Sequence, residues 1–366
     1  MDKLLRAREQ INSIDRQMAE LFEKRMHCAE DVASYKMENG LPIFDASRER
    51  AVIERNALYI TDDVIREYYV NFLQDLMDTS KKYQERLLSG LKVAYSGTEG
   101  AFAHIASGRI FKNANLISYP NFQSAYNAVE SGECDAAVLP LENSYGGEVG
   151  QVSDMIFSGS LYINGIYELL ITQELVGLKN TKLSDIKTVI SHPQALSQCA
   201  EHIKKMGWEQ IQFENTALAA KYVAEKKDPT LAAIASEESA KIQGLEVIES
   251  QINDNKTNVT KFGVFSRTLN SSIGAKKDDR FILVFTVKNE AGALAEAMNV
   301  IGRMGFNMRA IRSRPMKELV WQYHFYVECE GAVKSEEGSE LIARLRSYCD
   351  KLKVAGIYSS QNTSLK

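Results

Sequence analysis

The sequence has few of the residues that mark secreted or metal-binding proteins. Its 366 residues include five cysteines and five histidines, and no two cysteines form a Cys-x-x-Cys pair. This scattered set predicts reduced, mostly packed thiols instead of a disulfide framework. Histidines, cysteines and carboxylates also lack the spacing of a metal site. We therefore expect no metal and no organic cofactor.

Long hydrophobic runs and an excess of positive charge are missing too. The longest apolar runs, such as Ala136-Ala137-Val138-Leu139, are far too short to cross a bilayer. The first residues, MDKLLRAREQ, lack the apolar core of a signal peptide. The formal net charge of −4 does not suggest a nucleic-acid surface. We expect a cytoplasmic protein with no membrane or nucleic-acid partner, and its length suggests two or three domains.

Glycine and proline are absent from residues 3–38. Apolar residues recur there at steps of three, four or seven, which predicts one amphipathic helix of about 50 Å. A short helix is predicted from Ser47 to about Leu58, and a third from Asp62 to Leu88 with Thr61 as N-cap. The apolar stripe of so long a helix needs a partner. We therefore expect residues 1–89 to form an intertwined all-α dimer.

From Lys92 onward, strand-like and helix-like segments alternate to about residue 265, which indicates an α/β domain over residues 91–268. The region contains a weak internal repeat, formed by the segments YPNFQSAYNAVESGECDAAVLPLENS and FENTALAAKYVAEKKDPTLAAIASEES. In each, a cap with Asn precedes an Ala-rich helix, a polar turn, a buried strand and a polar loop. Two similar lobes would leave a ligand cleft near strand carboxyl ends and helix N-termini.

A polar linker, SRTLNSSIGAKKDD, precedes a βαββαβ pattern over residues 280–359. The predicted strands are FILVFTV, Met308–Arg314, Trp321–Glu328 and Lys353–Tyr358. The predicted helices are Ala293–Met304 and Ser335–Leu352. This order is typical of an α+β, ferredoxin-like domain.

Basic residues lie near the apolar stripe of the first helix. Arg8, Arg25 and Lys36 are expected to project from one face. Long basic side chains can snorkel from the edge of such a stripe. The alternative is a cationic pocket for a small polyanion. It would be completed from the second and third helices by Asp45, Arg48, Glu49, Ser80 and Gln84.

These eight positions resemble the motif of the all-helical chorismate mutases, the kind fused to prephenate dehydratases. The rearrangement of chorismate to prephenate is intramolecular, so the enzyme holds one conformer and stabilises developing charge. The resemblance implies that Arg25, Arg48 and Arg8 of a partner chain bind the two carboxylates. Lys36 and Gln84 would donate to the ether oxygen. Asp45 and Glu49 would hold the hydroxyl region, and Ser80 would assist a carboxylate. A helical dimeriser without activity stays an alternative.

Four polar stretches lie at strand-to-helix edges of the middle region: GTEGAFAH (97–104), PLENSYGG (140–147), SHPQALSQC (191–199) and NDNKTNVTKFGVFS (253–266). Each alone is weak evidence, because a glycine turn is often only a turn and a loop histidine is often only packed. Together they resemble prephenate dehydratase. Its motifs Glu-Asn-Ser and Ser-His-Pro-Gln stand at residues 142–144 and 191–194, and its Thr-Arg-Phe stands as Thr260-Lys261-Phe262.

Prephenate loses its ring hydroxyl and CO₂ to give phenylpyruvate, and aromatisation drives the reaction. The resemblance implies that the Thr260 hydroxyl donates to the departing oxygen. Asn143, Ser144, Gln194, Thr216 and Lys261 would bind or orient substrate, and Phe262 would pack near the ring. The alternative for Thr260 is a residue that caps its own loop. The resemblance further implies a two-lobed fold like that of periplasmic binding proteins. The family's hydroxyls after the first glycine turn are absent at Ala101-Phe102-Ala103.

The C-terminal pattern resembles the ACT domain that follows prephenate dehydratases. Its Gly-Ala-Leu motif stands at Gly292-Ala293-Leu294, and its Glu-Ser-Arg-Pro motif stands as Arg312-Ser313-Arg314-Pro315. The resemblance implies L-phenylalanine as effector, bound by Gly292, Ala293, Leu294, Ser313, Arg314 and Pro315. Arg312 in place of glutamate puts the details of binding in question. A plain dimerisation domain is the alternative.

The resulting prediction is a bifunctional enzyme of phenylalanine biosynthesis that forms a homo-oligomer, a dimer or a tetramer. Its substrates would be chorismate and prephenate. A mutase fused to a non-catalytic small-molecule sensor is the alternative, since a two-lobed cleft and an ACT domain also suit ligand sensing.

Overall fold

The computed structural model describes residues 3–42, 44–316, 323–361 and 363–365, and these form two compact units that meet in sequence at Leu91 and Lys92. No helix in the described part of the chain is long and apolar enough to cross a membrane.

The first unit consists of helices α1 (Lys3–Glu38), α2 (Ala46–Ala57) and α3 (Asp63–Ser89). α1 ends where Gly40 takes a left-handed φ of +63°. Ala29 and Ala33 of α1 are buried, as are Leu73 and Met77 of α3. Their burial marks the region where the helices pack on each other. The first half of α1 is different, because its apolar stripe at Ile11, Ile14, Met18 and Leu21 is exposed.

The N-cap of α3 differs from the prediction. Asp62, not Thr61, occupies the cap, and its Oδ1 accepts hydrogen bonds from the backbone N–H groups of Val64 and Ile65 at 2.9 and 3.1 Å. A carboxylate at this position also interacts favourably with the helix dipole, which a threonine hydroxyl does not.

The second unit begins with a first lobe, to which this part of the chain gives four main strands and the two-residue β4. Its strands are β1 (Lys92–Ser96), β2 (Asn115–Tyr119), β3 (Ala136–Asn143), β4 (Gly147–Glu148) and β5 (Tyr162–Leu170). Its helices are α4 (Phe102–Ile110), α5 (Phe122–Glu130) and α6 (Gly150–Ser158). The chain then builds a second lobe and returns to complete the first with β11 (Val259–Ser266), which lies between β3 and β5.

The second lobe has a separate sheet in the order β10-β6-β9-β7-β8. Its strands are β6 (Glu174–Gly177), β7 (Thr188–Ser191), β8 (Glu209–Gln212), β9 (Leu231–Ala235) and β10 (Glu246–Glu249). Its helices are α7 (Pro193–Gln198), α8 (Ala200–Met206), α9 (Thr216–Lys226) and α10 (Glu237–Gln243). Asn121 caps α5 and Asn215 caps α9, each through its side chain, so the two copies of the predicted echo have equivalent caps.

The C-terminal part has the predicted βαββαβ order. Its strands are β12 (Asp279–Thr286), β13 (Asn307–Pro315), β14 (Tyr323–Glu330) and β15 (Lys351–Ser359), with helices α11 (Ala293–Arg303) and α12 (Glu336–Leu345). The sheet order β13-β14-β12-β15 is ferredoxin-like. Trp321, predicted to begin a strand, lies outside the described residues.

α12 is shorter than predicted and ends at Leu345 instead of Leu352. Residues from Lys351 onward pair with β12, beginning with Lys351 opposite Thr286. Ladder hydrogen bonds to β12 therefore take Lys351 and Leu352 out of the predicted helix, and residues 346–350 form the turn between the two elements.

The ferredoxin-like sheet is continuous with the sheet of the first lobe. β15 joins β5 in parallel at Gly356 and Ile163, and β16 (Ser364–Leu365) also pairs with β5. The two faces of β12 serve different neighbours. Phe281, Leu283 and Phe285 pack with α11 and α12, whereas Ile282 and Val284 pack in the core that includes α6.

Candidate active sites

The three helices of the first unit enclose a cavity of about 530 Å³. Predicted mutase residues from all three helices line it: Arg25, Lys36, Asp45, Arg48, Glu49, Ser80 and Gln84. Arg8 is not among the lining residues and is exposed. The prediction that it shares a face with Arg25 is wrong. The step of 17 positions from Arg8 to Arg25 (25 − 8 = 17) turns the helix by about 1,700°, roughly 100° from a whole number of turns.

Hydrogen bonds fix the cationic side of this cavity. The Arg25 guanidinium donates to Ser80 Oγ, which in turn donates to the backbone oxygen of Leu76 at 2.9 Å. Burial lowers the pKa of Arg25 from its ordinary value, which reflects the cost of holding a guanidinium away from water. An anion bound here would offset that cost. Gln84 is buried, and its Oε1 has no hydrogen-bond partner within the described ranges.

Asp45 is the N-cap of α2, and its Oδ1 accepts from Ser47 Oγ at 2.7 Å and from the Arg48 N–H at 3.0 Å. The bond from Ser47 and then the bond from Arg48 lower the pKa of Asp45. Sequence reasoning missed Lys81, which lines the cavity and pairs with Glu49 at 3.0 Å. Its place beside Ser80 and one turn before Gln84 is the signal that could have found it.

A second cavity, of about 580 Å³, lies between the two lobes of the second unit. Residues from all four of the polar stretches named above line this cavity. Its lining includes Gly97, Asn143, Gln194, Thr216 and Thr260. Strand carboxyl ends and helix starts therefore meet here, as the α/β pattern predicts.

Backbone hydrogen bonds fix the direction of the Thr260 hydroxyl. Asn143 Oδ1 accepts from the N–H groups of Tyr145 and Gly146 at 3.0 and 2.8 Å. Its Nδ2 must therefore donate, and it lies 2.8 Å from Thr260 Oγ1. Because Oγ1 accepts this bond, its own proton remains available for a ligand. Thr260 is 8% exposed and lines the cavity, together with Phe262.

Helix starts and not basic side chains surround the cavity. The lining includes the N-caps of α4, α6, α7 and α9, which are Ala101, Val149, His192 and Asn215. Among the described lining residues there is no lysine or arginine. The lining also includes the carboxylates of Glu148 and Glu214, so the helix starts are its source of positive potential for an anion. Burial lowers the pKa of His192, and its Nδ1 accepts from the Gln194 N–H at 3.2 Å, and both favour the neutral ring.

The two lobes also contact each other directly, next to the cavity-lining residue Ala101. Ser236 Oγ and Ser239 Oγ both donate to the backbone oxygen of Gly100, at 3.1 and 2.9 Å. Gly100 has a φ of +88°, and a Cβ there would lie 2.6 Å from Ser239 Oγ. Arg109 pairs with Glu238 at 2.5 Å on the same side. The first glycine turn therefore links the two lobes.

Sequence reasoning missed a buried amide pair at the cavity wall. Gln173 Nε2 donates to Gln198 Oε1 at 3.0 Å, and both residues line the cavity. Gln173 Oε1 is buried without a partner among the residues described. Asn253, in the polar loop, supports this point, because its Oδ1 accepts from the Gln173 N–H at 3.3 Å. The polar side chains of that loop thus stabilise the segments where the chain passes between the two lobes.

Two predicted substrate-binding residues lie away from the lining. Lys261 alternates with Thr260 and Phe262 along β11, so it projects from the opposite face, where Glu142 lies 3.5 Å away. Ser144 Oγ accepts from the Val259 N–H at 2.9 Å and supports the turn after β3. Neither side chain is placed to touch a ligand in this cavity.

The predicted effector residues lie on two segments. Gly292, with a φ of +88°, is the N-cap of α11, and Ala293 and Leu294 begin that helix. Ser313, Arg314 and Pro315 end β13. The Arg314 guanidinium is already engaged, since its Nε donates to Asp154 Oδ1 of α6 at 2.9 Å.

Comparisons with known proteins identify two regions of the chain. The sequence matches the family models Chorismate mutase type II over residues 7–85 and Prephenate dehydratase over residues 93–270. It is 30% identical over 374 residues to the bifunctional chorismate mutase/prephenate dehydratase of Buchnera aphidicola subsp. Schizaphis graminum (strain Sg). That alignment covers 98% of this chain and 97% of the relative.

Two solved structures resemble the chain at a TM-score of 0.68. One is prephenate dehydratase in complex with L-Phe from Arthrobacter aurescens, 28% identical, covering 75% of this chain and 92% of that one. The other is described as a novel type of quorum quenching acylase, 25% identical, covering 74% of this chain and 98% of that one.

Proposed function

Because the chain belongs to the family of bifunctional chorismate mutase/prephenate dehydratases, we propose which residues carry each of its two reactions. The enzyme converts chorismate to prephenate and prephenate to phenylpyruvate in phenylalanine biosynthesis. We assign the mutase reaction to the cavity of the helical unit and the dehydratase reaction to the cavity between the lobes. The proposed domains are residues 1–89, 91–268 and 280–359.

In the mutase cavity, Arg25 and Arg48 bind the substrate carboxylates, and Ser80 holds Arg25 in place. Lys36 and Gln84 donate to the ether oxygen as its bond to carbon breaks. Asp45 and Glu49 hold the hydroxyl region. We propose that Arg8 reaches the cavity of a second copy. The exposed stripe at the start of α1 supports this, since an apolar face of that length needs a partner.

In the dehydratase cavity, Thr260 donates to the departing ring hydroxyl. The C–C bond to the carboxylate breaks, its electron pair enters the ring, and the C–O pair leaves with the oxygen. The observation that carries this assignment is the Asn143 amide, which makes Thr260 Oγ1 an acceptor on one side and a donor toward the cavity. Helix starts, with Gln194 and Thr216, bind the two prephenate carboxylates, and Phe262 packs near the ring.

The test is a pair of reciprocal variants. Thr260→Val removes the hydroxyl at constant shape, and we expect it to abolish phenylpyruvate formation while mutase turnover persists. Thr260→Ser keeps the hydroxyl and is the matched control. Lys36→Ala should show the opposite pattern. Loss of both activities in either variant would indicate misfolding, and a fully active Thr260→Val enzyme would refute the assignment.

The C-terminal domain is proposed as an ACT domain that binds L-phenylalanine as feedback inhibitor, in a cytoplasmic homo-oligomer. The L-Phe complex of the Arthrobacter dehydratase supports this effector. L-phenylalanine should lower the dehydratase rate and raise the thermal midpoint of the second unit by mass action. No change in either quantity would reject regulation by this amino acid.

A further inference from the structure

Two arginines of β13 reach out of the ferredoxin-like sheet and pair with the first lobe. Arg312 Nη2 lies 2.7 Å from Glu142 Oε2, and Arg314 Nε lies 2.9 Å from Asp154 Oδ1. Arg314 also lies 4.0 Å from Glu148, which lines the dehydratase cavity. Arg312 stands where the Glu-Ser-Arg-Pro motif has glutamate. A glutamate at this position would repel Glu142, whereas Arg312 attracts it.

Glu142 lies directly behind the groups assigned to catalysis. In the register of β3 and β11, Asn143 faces Thr260 and Glu142 faces Lys261. Side chains alternate between the faces of a strand pair. Asn143 and Thr260 therefore line the cavity, while Glu142 and Lys261 project from the back, with their charged atoms 3.5 Å apart.

Arg312 is held from its own side as well. Its guanidinium lies 5.0 Å from the ring centroid of Tyr326 on β14, a geometry in which the ring face attracts the cation. The side chains of Arg312 and Glu142 are only 23% and 32% exposed, so solvent screens their attraction partly. A planar guanidinium fixes the direction of a carboxylate better than the flexible ammonium of Lys261 does.

We propose that Arg312 is a positioning residue of the dehydratase. It anchors Glu142 on the back of the β3–β11 pair and so sets the distance between Asn143 Nδ2 and Thr260 Oγ1 on the front. Without it, Glu142 retains only Lys261 among its partners in the described residues and is drawn toward β11. The inference deepens the proposed role of Thr260, and it connects the C-terminal domain, through Glu142, to the back of the strands that carry the reaction site.

The experiment compares Arg312→Gln with Arg309→Gln in the full-length enzyme. Arg309 is a matched control, because it lies on the same strand but pairs with Glu330 of the adjacent β14, at 2.7 Å. We expect Arg312→Gln to lower the dehydratase kcat about tenfold, less than the roughly 10²-fold that a misplacement of about 1 Å can cost. KM for prephenate, mutase turnover and the activity of Arg309→Gln should stay unchanged. Arg312→Lys, which keeps charge but loses the planar fork, should be intermediate.

A double-mutant cycle separates positioning from a general structural role. If Arg312 acts through Glu142, Arg312→Gln and Glu142→Gln together should cost no more kcat than the larger single effect. The proposal would be overturned if the losses of kcat from the two substitutions multiplied in the double variant. It would also be overturned if Arg312→Gln lowered the thermal midpoint but kept the wild-type kcat. If Thr260→Val abolishes phenylpyruvate formation while Arg312→Gln keeps the wild-type kcat, the positioning role of Arg312 fails and the assignment of Thr260 stands. A fully active Thr260→Val enzyme would overturn both.

Discussion

Replacing Asn143 by aspartate tests the hydrogen-bond logic of the dehydratase cavity without changing its shape. In Asn143→Asp, one oxygen still accepts from the N–H groups of Tyr145 and Gly146. The other oxygen replaces Nδ2, 2.8 Å from Thr260 Oγ1, and turns a donor into an acceptor. The Thr260 hydroxyl then donates its hydrogen bond to the new carboxylate and no longer to the departing hydroxyl of prephenate.

The fold should tolerate this substitution. Nδ2 of Asn143 also donates to Asn258 Oδ1 at 2.7 Å, a bond that the carboxylate cannot make. Asn258 Nδ2 is buried and has no hydrogen-bond partner in the described part of the chain. A rotation of the Asn258 amide would present this N–H to the carboxylate and satisfy both groups.

The magnitude follows from the loss of one donor aimed at developing negative charge, which typically costs about 10²–10³ in kcat, or about 2.7–4 kcal/mol. We expect this loss in phenylpyruvate formation at saturating prephenate, with mutase turnover of the same sample unchanged. Because Asn143 acts through Thr260, adding Thr260→Val to Asn143→Asp should cause little further loss. A wild-type kcat in Asn143→Asp, or multiplying effects in the double variant, would refute the reasoning.

Three further predictions concern other parts of the chain. Gln84→Leu should lower mutase kcat by about 10²–10³ without lowering the thermal midpoint, because it removes a buried oxygen that has no partner among the described residues; a marked loss of stability would contradict this. In Gly356→Ala the new Cβ would lie 2.5 Å from Ile163 O, so a loss of about 1–3 kcal/mol in unfolding free energy is expected from overpacking, and unchanged denaturant midpoints would count against it. Burial lowers the pKa of His192, so the unfolded chain takes up this proton first as the pH falls below about 6.5 and the folded state loses stability. The unfolding free energy should therefore fall more steeply below that pH in the wild type than in His192→Asn, which keeps a helix cap, and equal slopes would exclude this source.

The local sequence pattern was sufficient to predict an element of the fold where one physical rule determined its structure. The absence of glycine and proline from residues 3–38 predicted one long helix there, which the structure shows as α1 (Lys3–Glu38). The βαββαβ order predicted the ferredoxin-like strand arrangement. α12 was predicted too long because pairing of Lys351 with β12 is a non-local interaction, and a helical pattern in sequence carries no information about it.

The misplaced site residues have different causes. Lys261 lies between Thr260 and Phe262, and strand alternation alone places it on the other face. Arg8 is misplaced for a similar geometric reason, because the number of positions between it and Arg25 puts the two side chains on different faces of the helix. Glu142 and Arg312 could not be connected from the sequence, because 170 positions separate them and only the fold brings their side chains to 2.7 Å.

The junction of β15 and β5 at Gly356 and Ile163 limits how this protein can be divided or recombined. A chain cut in the linker after Ser266 would leave β5 with an unpaired edge, and an exposed strand edge is a template for aggregation. Exchange of the regulatory module between relatives would have to carry a glycine at the junction, since a Cβ at Gly356 would collide with the backbone of Ile163. The second unit would thus be inherited as one piece, although its sequence reads as two domains joined by a linker.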